Sequence, residues 1–326
     1  MAIQERRVNY LPREYPWAYE AYEAAIKSHW RASEVEMSSD VRQWNYSLTQ
    51  QERNAVGRIL SSFTYMEQGV GDYWTGVVGK CFPKPEIFAM ASAFGVQEAN
   101  HAEAYNHLSA TLGLDEYKMF QGDADAIARV ESVLNYEHGD SDLLTSLATF
   151  SGLIEGVSLY SSFAVLMSFC QPGVDKLPGL GKILGWSISE ERYHSAAGIR
   201  LFQELAAELG GLTDGQKKRI YDAARSIVSY EESFINGIFE EGDLPSISKH
   251  AIYSFILDRA NLKLSELGLK RIFKVDTEAA ASVSRWFYSD TEGLTLGDFF
   301  HGKNAHEYSS KADQNFTKVN YADLLK

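Results

Sequence analysis

Cysteine is scarce in this chain, which has two in 326 residues. Cys81 and Cys170 cannot build the disulfide framework of a small secreted domain, so we expect the reducing environment of the cytoplasm. Basic residues are also few, because 31 Lys and Arg stand against 44 Asp and Glu, a formal net charge of −13. Nucleic-acid binding depends on basic surface, and this composition therefore argues against it.

Two further features are missing, and both absences narrow the fold class. The N-terminal residues MAIQERRVNYLPREYPW contain no apolar core of a signal peptide. No stretch alternates apolar and polar residues strongly enough to predict a half-buried strand. Helix signals are frequent instead: Thr49-Gln-Gln-Glu52 is a capping box, and Gly113 and Gly210-Gly211 end helical patterns. The sequence predicts an all-α protein.

One four-part pattern occurs twice along the chain. Glu67 is followed 31 residues later by Glu98-Ala-Asn-His101, and Glu155 is followed 36 residues later by Glu191-Arg-Tyr-His194. A Glu-x-x-His pair on a helix places both side chains on one face, one turn apart. The upstream glutamate fits the facing helix of an antiparallel hairpin. Two such hairpins bring four carboxylates and two imidazoles together, which is the ligand set of a dinuclear metal site.

The repetition gives this pattern its weight, because a single Glu-x-x-His occurs by chance and is often a surface pair. Oxygen-rich ligation with one imidazole per metal favours iron or manganese over zinc. The remaining histidines have no matching carboxylates at this spacing, and we interpret them as surface, packing or tail residues: His29, His107, His138, His250, His301 and His306.

A long apolar segment, Leu143 to Cys170, contains Glu155 as its single charge. Its length and composition would suit a membrane span. A charge at its middle is expensive in lipid unless it is paired. The alternative is a helix buried on all sides within a bundle, with Glu155 neutralised by metal. We favour burial, because the repeated pattern independently assigns Glu155 to the metal site, and we expect no membrane association.

The composition changes at about Ser289. Residues 289–326 are polar and poor in aliphatic side chains, which predicts a flexible tail outside a helical domain of residues 1–288. The last stretch, Asn315 to Lys326, regains apolar residues, a pattern that suits a peptide docking on a partner.

The arrangement resembles the small, radical-generating subunit of class I ribonucleotide reductase over nearly the whole chain. Tyr15-Pro-Trp-Ala-Tyr19 and His29-Trp30-Arg-Ala-Ser-Glu-Val-Glu-Met37 also look like the N-terminal region of that family. The resemblance implies a ferritin-like helical bundle with the dinuclear site in a four-helix core, a homodimer, and a large catalytic partner subunit that reduces ribonucleotides. Tyr105, four residues after His101, falls where the family has its radical tyrosine.

The resemblance also implies a route for the oxidising equivalent. In the family, an electron route runs from a ligand histidine through an acidic residue to a tryptophan. Trp30 falls at the position of that tryptophan, and His101 at that of the histidine. Glu190, directly before Glu191, occupies the acid's position, where most members have Asp. A carboxylate behind a ligand histidine also fixes its tautomer. In the family a tail tyrosine passes the radical to the large subunit. Tyr308 or Tyr321 fills that role here, and we favour Tyr308, which is set back from the terminal peptide.

The metals are open between Fe/Fe, Mn/Mn and Mn/Fe. Glu67 stands where the family commonly has Asp, and glutamate there is similar to subgroups that use manganese. The Mn/Fe subgroup replaces the radical tyrosine with Phe, whereas this chain keeps Tyr105. The activating oxidant is oxygen or, for a dimanganese site, superoxide. We expect Leu159 and Phe163 to contribute to an apolar shell that protects the oxidant.

Two other functions fit the same ligand pattern. An oxygen-activating hydroxylase, desaturase or oxidase of the same fold would need neither Tyr105, Trp30 nor a docking tail. A ferritin-like iron store has chains of about half this length and no use for an electron route. A bundle without metal is disfavoured, because six polar ligands on apolar helix faces would be costly to bury.

Overall fold

The computed structural model of the protein describes residues 2–137 and 142–292. Within these ranges the regular structure is helical, and the only β-type pairing is one isolated bridge between Leu244 and Ile247. The prediction of an all-α protein is confirmed. The N-terminal half consists of α1 Pro16–Lys27, a 3-10 helix Ala32–Glu34, α2 Ser38–Tyr46, α3 Gln50–Asp72, a first π-helical segment Tyr73–Val78, α4 Gly79–Cys81, α5 Pro85–Leu112, α6 Glu116–Gln121 and α7 Ala124–Glu137.

The second half begins with a continuous helical run of three parts. The elements are α8 Leu143–Leu147, a second π-helical segment Ala148–Ser158, α9 Tyr160–Ser168, α10 Pro178–Glu208, α11 Asp214–Ile238, α12 Lys249–Glu266 and α13 Thr277–Glu292. α13 extends past the predicted start of the tail at residue 289. The remainder of that tail, with Tyr308 and Tyr321, lies outside the described residues.

The expected helix signals begin and end these elements. The Thr49 hydroxyl accepts a hydrogen bond from the Glu52 N–H at 3.2 Å, and the Glu52 carboxylate accepts one from the Thr49 N–H at 2.8 Å. This capping box supplies partners for amides that a helix start would otherwise leave unpaired. α5 ends at Leu112, and the residue that follows it, Gly113, has a φ of +73°, which suits glycine.

Two antiparallel hairpins form the centre of the bundle. α3 packs along α5, and the second π-helical segment packs along α10, while α5 also contacts α10. α11 and α12 cover the outer side of the second π-helical segment. This is the four-helix core that the repeated Glu-x-x-His pattern predicts.

The start of α10 is held by α2. The buried Asp40 carboxylate accepts hydrogen bonds from the N–H groups of Gly179 at 2.9 Å and Leu180 at 2.8 Å. A Cβ atom at Gly179 would lie 2.5 Å from the Met37 sulfur and 3.0 Å from the backbone carbonyl oxygen of Glu36, so a larger residue would force these groups apart. The contact sets the position of the helix that contains Glu191.

The apolar run Leu143–Ser168 is long enough to cross a membrane, and the window that qualifies it is entirely buried inside the protein. The buried-helix interpretation is therefore confirmed. Its middle is π-helical rather than α-helical, which the sequence did not predict. Buried arginines bind two of its carbonyl groups: Arg259 Nε donates to Gly156, and Arg129 Nη2 donates to Ser158. Partners from outside the segment thus stabilise a helix geometry that is rare by itself.

α10 and the second π-helical segment approach so closely that Gly198 becomes a test of the packing. A Cβ atom there would lie 2.1 Å from the Cβ atom of Ser151, which the backbone holds in place. We expect Gly198→Ala to lower the free energy of unfolding by about 3 kcal/mol, at the upper end for overpacking. Chemical denaturation of the metal-free chain measures this.

Gly76→Ala is the matched control, since a Cβ atom at Gly76 meets nothing within 4 Å. We expect it to change the free energy of unfolding by less than about 1 kcal/mol, in the stabilising direction. Equal stability of the two variants would contradict the close approach of α10 to the second π-helical segment.

Candidate metal centre

The six predicted ligands come together at one buried point. All are at most 1% exposed. They come from four elements: Glu67 from α3, Glu98 and His101 from α5, Glu155 from the second π-helical segment, and Glu191 and His194 from α10.

Their ligand atoms form two overlapping groups, each with all atoms within 4.8 Å of one another. The first metal position is surrounded by Glu67, Glu98, His101 and Glu191. The second metal position is surrounded by Glu98, Glu155, Glu191 and His194. Glu98 and Glu191 belong to both groups, so each is placed to bridge two ions.

Both imidazoles turn the same ring nitrogen inward. His101 Nδ1 lies 3.1 Å from Glu98 Oε2 and 2.9 Å from Glu191 Oε1. His194 Nδ1 lies 2.5 Å from Glu98 Oε1 and 3.7 Å from Glu191 Oε2. The Nε2 atoms point away from the four ligand glutamates, toward a second ring of side chains. With Nδ1 assigned to the metal, each Nε2 carries a hydrogen and donates outward.

The unpaired atoms of this cluster fit metal ions. Within the described residues, no regular hydrogen bond reaches either oxygen of Glu67 and Glu191, one oxygen of each of the other two glutamates, or His194 Nδ1. Buried polar atoms are normally satisfied, and unpaired buried charge is costly. Divalent cations between these oxygens and nitrogens would satisfy them together, and the donor types suit iron or manganese.

The electrostatics of the cluster also favour the binding of metal ions. Burial, followed by the charges of Glu191 and Glu98, raises the pKa of both Glu67 and Glu155 well above its ordinary value. For His194, burial opposes the charged form, but the carboxylates of Glu98 and Glu191 outweigh it and raise the pKa to about 9. Without metal, the cluster therefore binds protons where cations would otherwise balance its charge.

Glu190 lies at the centre of the second ring. Its Oε2 accepts hydrogen bonds from His101 Nε2 at 2.8 Å and from Trp30 Nε1 at 3.1 Å. Its Oε1 accepts from Gln97 Nε2 at 2.7 Å and from Ser28 Oγ at 3.2 Å. The Trp30 ring also stacks near His101, with centroids 6.0 Å apart. The structure thus brings His101, Glu190 and Trp30 into one continuous hydrogen-bonded line.

Tyr105 is fully buried beside the first metal position. Its ring centroid lies 6.3 Å from that of His101 and 4.7 Å from that of Phe63. The ring centroids of Phe63 and Phe163 lie 5.2 Å apart. Phe163 and Leu159, the two residues expected in the apolar shell, are both fully buried. Burial, and then the charge of Glu67, raises the pKa of Tyr105 well above 10, so the phenol keeps its proton.

Sequence reasoning missed Trp74, Gln97 and Ser28. Trp74 Nε1 donates to Glu155 Oε1 at 2.6 Å, and its ring is T-shaped against His194 at 5.9 Å. The sequence contained a positional signal for two of these three residues, Trp74 and Gln97. Trp74 follows Glu67 by seven residues, two helical turns, and Gln97 directly precedes Glu98 just as Glu190 precedes Glu191.

None of the other histidines within residues 2–137 and 142–292 takes part in either metal position. His29 and His250 are exposed, and His107 is half-buried. His250 pairs with Asp276 at 3.0 Å. His138, His301 and His306 lie outside the described residues.

A helical bundle that encloses two Glu-x-x-His motifs and two further glutamates is a ferritin-like dinuclear-metal carboxylate protein. Within that class, the chain belongs to the ribonucleotide reductase small-chain family, whose model matches residues 7–280.

Relatives and solved structures agree with this assignment. A probable ribonucleoside-diphosphate reductase small subunit of Invertebrate iridescent virus 3 is 30% identical over 297 residues, covering 82% of this chain and 77% of the relative. The ribonucleoside-diphosphate reductase subunit beta of Treponema pallidum is 25% identical over 315 residues, covering 92% of this chain and 87% of the relative. The R2 subunit of Clostridium botulinum shares the fold with a TM-score of 0.78 at 18% identity, covering 89% and 94%. The dimanganese(II)-NrdF of Streptococcus sanguinis also shares the fold, with a TM-score of 0.74 at 17% sequence identity. The match covers 86% of this chain and 98% of that one.

Family membership confirms the main sequence interpretation. The protein is the radical-generating small subunit of a ribonucleotide reductase, an oxidoreductase whose small subunits form dimers and act with a large subunit. It binds a dinuclear metal centre. The hydroxylase and iron-storage alternatives are set aside in favour of this family.

Metal binding by this cluster should release protons. Ligand groups must be deprotonated to bind metal, and the raised pKa values of Glu67, Glu155 and His194 mean that the metal-free site holds protons at neutral pH. We expect Mn(II) affinity to rise with pH, by about tenfold per unit for each proton displaced. His194 should stop contributing to this rise above its pKa of about 9.

Calorimetry in two buffers of different protonation enthalpy measures the number of protons released. A Mn(II) affinity that is constant or falls between about pH 6 and 9 would contradict the protonated metal-free site.

Proposed function

We propose that the six clustered side chains bind two metal ions and that the residues around them carry the oxidising equivalent to the large subunit. The observation that carries this proposal is the pair of overlapping ligand groups that share Glu98 and Glu191. The proposed ligands are Glu67, Glu98, His101, Glu155, Glu191 and His194.

The bound metals supply the redox chemistry with oxygen or superoxide from which the radical arises. Glu98 and Glu191, which belong to both ligand groups, would each contribute to holding both ions. Trp74, through its hydrogen bond to Glu155 Oε1, leaves the other oxygen of that carboxylate free for metal.

Tyr105 is the proposed site of the radical. Its oxidation removes one electron and the hydroxyl proton together, because the buried phenol does not ionise beforehand. Among side-chain charges, that of Glu67 acts most strongly on this hydroxyl. We propose that Glu67 accepts the proton, and the apolar contact with Phe63 excludes water from the ring.

The route outward runs through His101, Glu190 and Trp30. Each link is a hydrogen bond of 2.8 to 3.1 Å, which permits a proton to shift as the electron moves. Trp30 is 0% exposed, so it cannot contact a partner itself. A further carrier is required, and we propose Tyr308 of the tail, with Tyr321 as the alternative.

The remaining assignments complete the proposal. The helical domain, predicted over residues 1–288, extends to the end of α13 at Glu292, and the residues up to 326 form the tail, whose terminal peptide 315–326 docks on the large subunit. The partner's substrate is a ribonucleoside diphosphate, as in the names of the relatives, and the complex works in the cytoplasm. Iron and manganese are both candidate metals. The Streptococcus sanguinis protein of the same fold contains dimanganese(II), and Glu67 is present where the family commonly has Asp.

The ligand assignment predicts graded losses of metal. Glu98→Ala and Glu191→Ala should lose both ions, since each residue belongs to both positions, whereas Glu67→Ala should retain the second. Elemental analysis after loading with Fe(II) or Mn(II) measures the metal content. Glu103→Ala, an exposed glutamate on the same helix as Glu98, is the control and should bind as wild type. Unchanged metal in Glu98→Ala and Glu191→Ala would reject the assignment.

Electron paramagnetic resonance locates the radical. Protein loaded with iron or manganese and exposed to oxygen or superoxide should give a tyrosyl signal that Tyr105→Phe abolishes while its metal content remains. Tyr160→Phe is the matched control, because it removes the hydroxyl of a second buried tyrosine, whose ring contacts Phe163. A manganese-coupled multiline signal that persists in Tyr105→Phe would place the oxidant on the metals instead.

The tail assignment predicts a separation of docking from relay. Removal of residues 315–326 should weaken binding to the large subunit by at least about tenfold, with metal content unchanged. Tyr308→Phe should bind normally but support no turnover, and Tyr321→Phe should remain active. The reverse pattern for the two tyrosines would assign the relay to Tyr321.

A further inference from the structure

The second ring of side chains has a crossed arrangement. Glu190, which directly precedes the glutamate of the second motif, accepts from the histidine of the first motif, His101, at 2.8 Å. Gln97, which directly precedes the glutamate of the first motif, contacts the histidine of the second, His194, with Oε1 and Nε2 2.9 Å apart. Each helix therefore positions an imidazole that belongs to the other.

Gln97 also joins the two halves. Its Nε2 donates to Glu190 Oε1 at 2.7 Å and lies 3.2 Å from Ser28 Oγ. Because His194 Nε2 carries a hydrogen when Nδ1 faces the metal, the oxygen of the Gln97 amide must face His194. The amide NH₂ is then directed at Glu190. One side chain thus accepts at one end and donates at the other.

We propose that Gln97 is a positioning residue that ties the second metal position to the radical route by holding His194 and Glu190 in one hydrogen-bonded line. The inference rests on the ligand assignment proposed above. Gln97 is 5% exposed, so a side chain without hydrogen bonds would leave the N–H of His194 unpaired in the core. A glutamate would instead face the carboxylate of Glu190, which the protein holds with four donors.

The surroundings of Gln97 provide a second way to test this role. A narrow crevice borders it, with a cavity volume of about 10 Å³, room for roughly one water, and a lining that includes Ala24, Phe94 and Trp186. Gln97→Ala would enlarge this crevice by the volume of an amide group, which a small amide from solution can refill.

The first experiment titrates the metal-free full chain with Mn(II) and follows free Mn(II) by electron paramagnetic resonance. Gln97→Met keeps the length of the side chain and removes both hydrogen bonds. We expect it to weaken one Mn(II) by about 10- to 100-fold, the usual effect of losing the partner behind a ligand histidine. The other Mn(II) should stay within about threefold of wild type, because His194 belongs to the second metal position alone.

Asn106→Ala is the control, since this exposed amide side chain lies on the same helix as Gln97 and is distant from the second ring. Both Mn(II) affinities should stay within about threefold of wild type. Wild-type binding of both ions by Gln97→Met would overturn the inference. So would equal weakening of both ions together with a lower melting temperature of the metal-free chain, which indicates a general structural role.

Chemical rescue of Gln97→Ala separates the two ends of the amide. Acetamide can accept from His194 and donate to Glu190, whereas acetone has nearly the same shape and can only accept. We expect acetamide to restore most of the lost Mn(II) affinity and acetone to restore little. Equal rescue by both, or rescue by neither, would overturn the link between His194 and Glu190.

The ligand assignment fails separately from this inference. If Glu98→Ala and Glu191→Ala keep both ions, the six-ligand assignment is wrong. If those variants lose metal as expected but Gln97→Met binds as wild type, only the role of Gln97 is rejected.

Discussion

The structure depends on the burial of four carboxylates at one point within an apolar bundle. Glu67, Glu98, Glu155 and Glu191 are each at most 1% exposed, and their charges repel one another. Such a cluster is stable only when protons or cations neutralise it. The raised pKa values of Glu67 and Glu155 indicate that protons neutralise the cluster when metal is absent. The membership of Glu98 and Glu191 in both ligand groups fits neutralisation by two metal ions. The same constraint links folding, metal binding and redox chemistry.

The surrounding bundle serves to hold this cluster in place. Arg129 and Arg259 bind carbonyl groups of the second π-helical segment, which contains Glu155. Asp40 holds the start of α10, which contains Glu191 and His194. These supports come from α2, α7 and α12, outside the four elements that provide the ligands. A large bundle can therefore maintain a geometry that four helices alone would relax.

Helical periodicity predicted which six side chains cluster, because their spacing is a local property. Glu98 and His101 share a face of α5 whatever packs against it, and the same holds for Glu191 and His194 on α10. Periodicity could not show that Leu143–Ser168 contains a π-helical segment, because the arginines that stabilise it are distant in sequence. It also did not identify Trp74 as the partner of Glu155, since that contact depends on how two hairpins rotate against each other.

The sequence by itself determined the fold class, the six candidate ligands and the family, since each follows from residue types at fixed spacing along single helices. Tertiary structure alone decided which carboxylates are shared between the two metal positions and which side chains stand behind the histidines. The crossed pairing of Gln97 with His194 and of Glu190 with His101 shows the reason. Hydrogen bonds between helices depend on their relative height and rotation, and the packing of the whole core sets both.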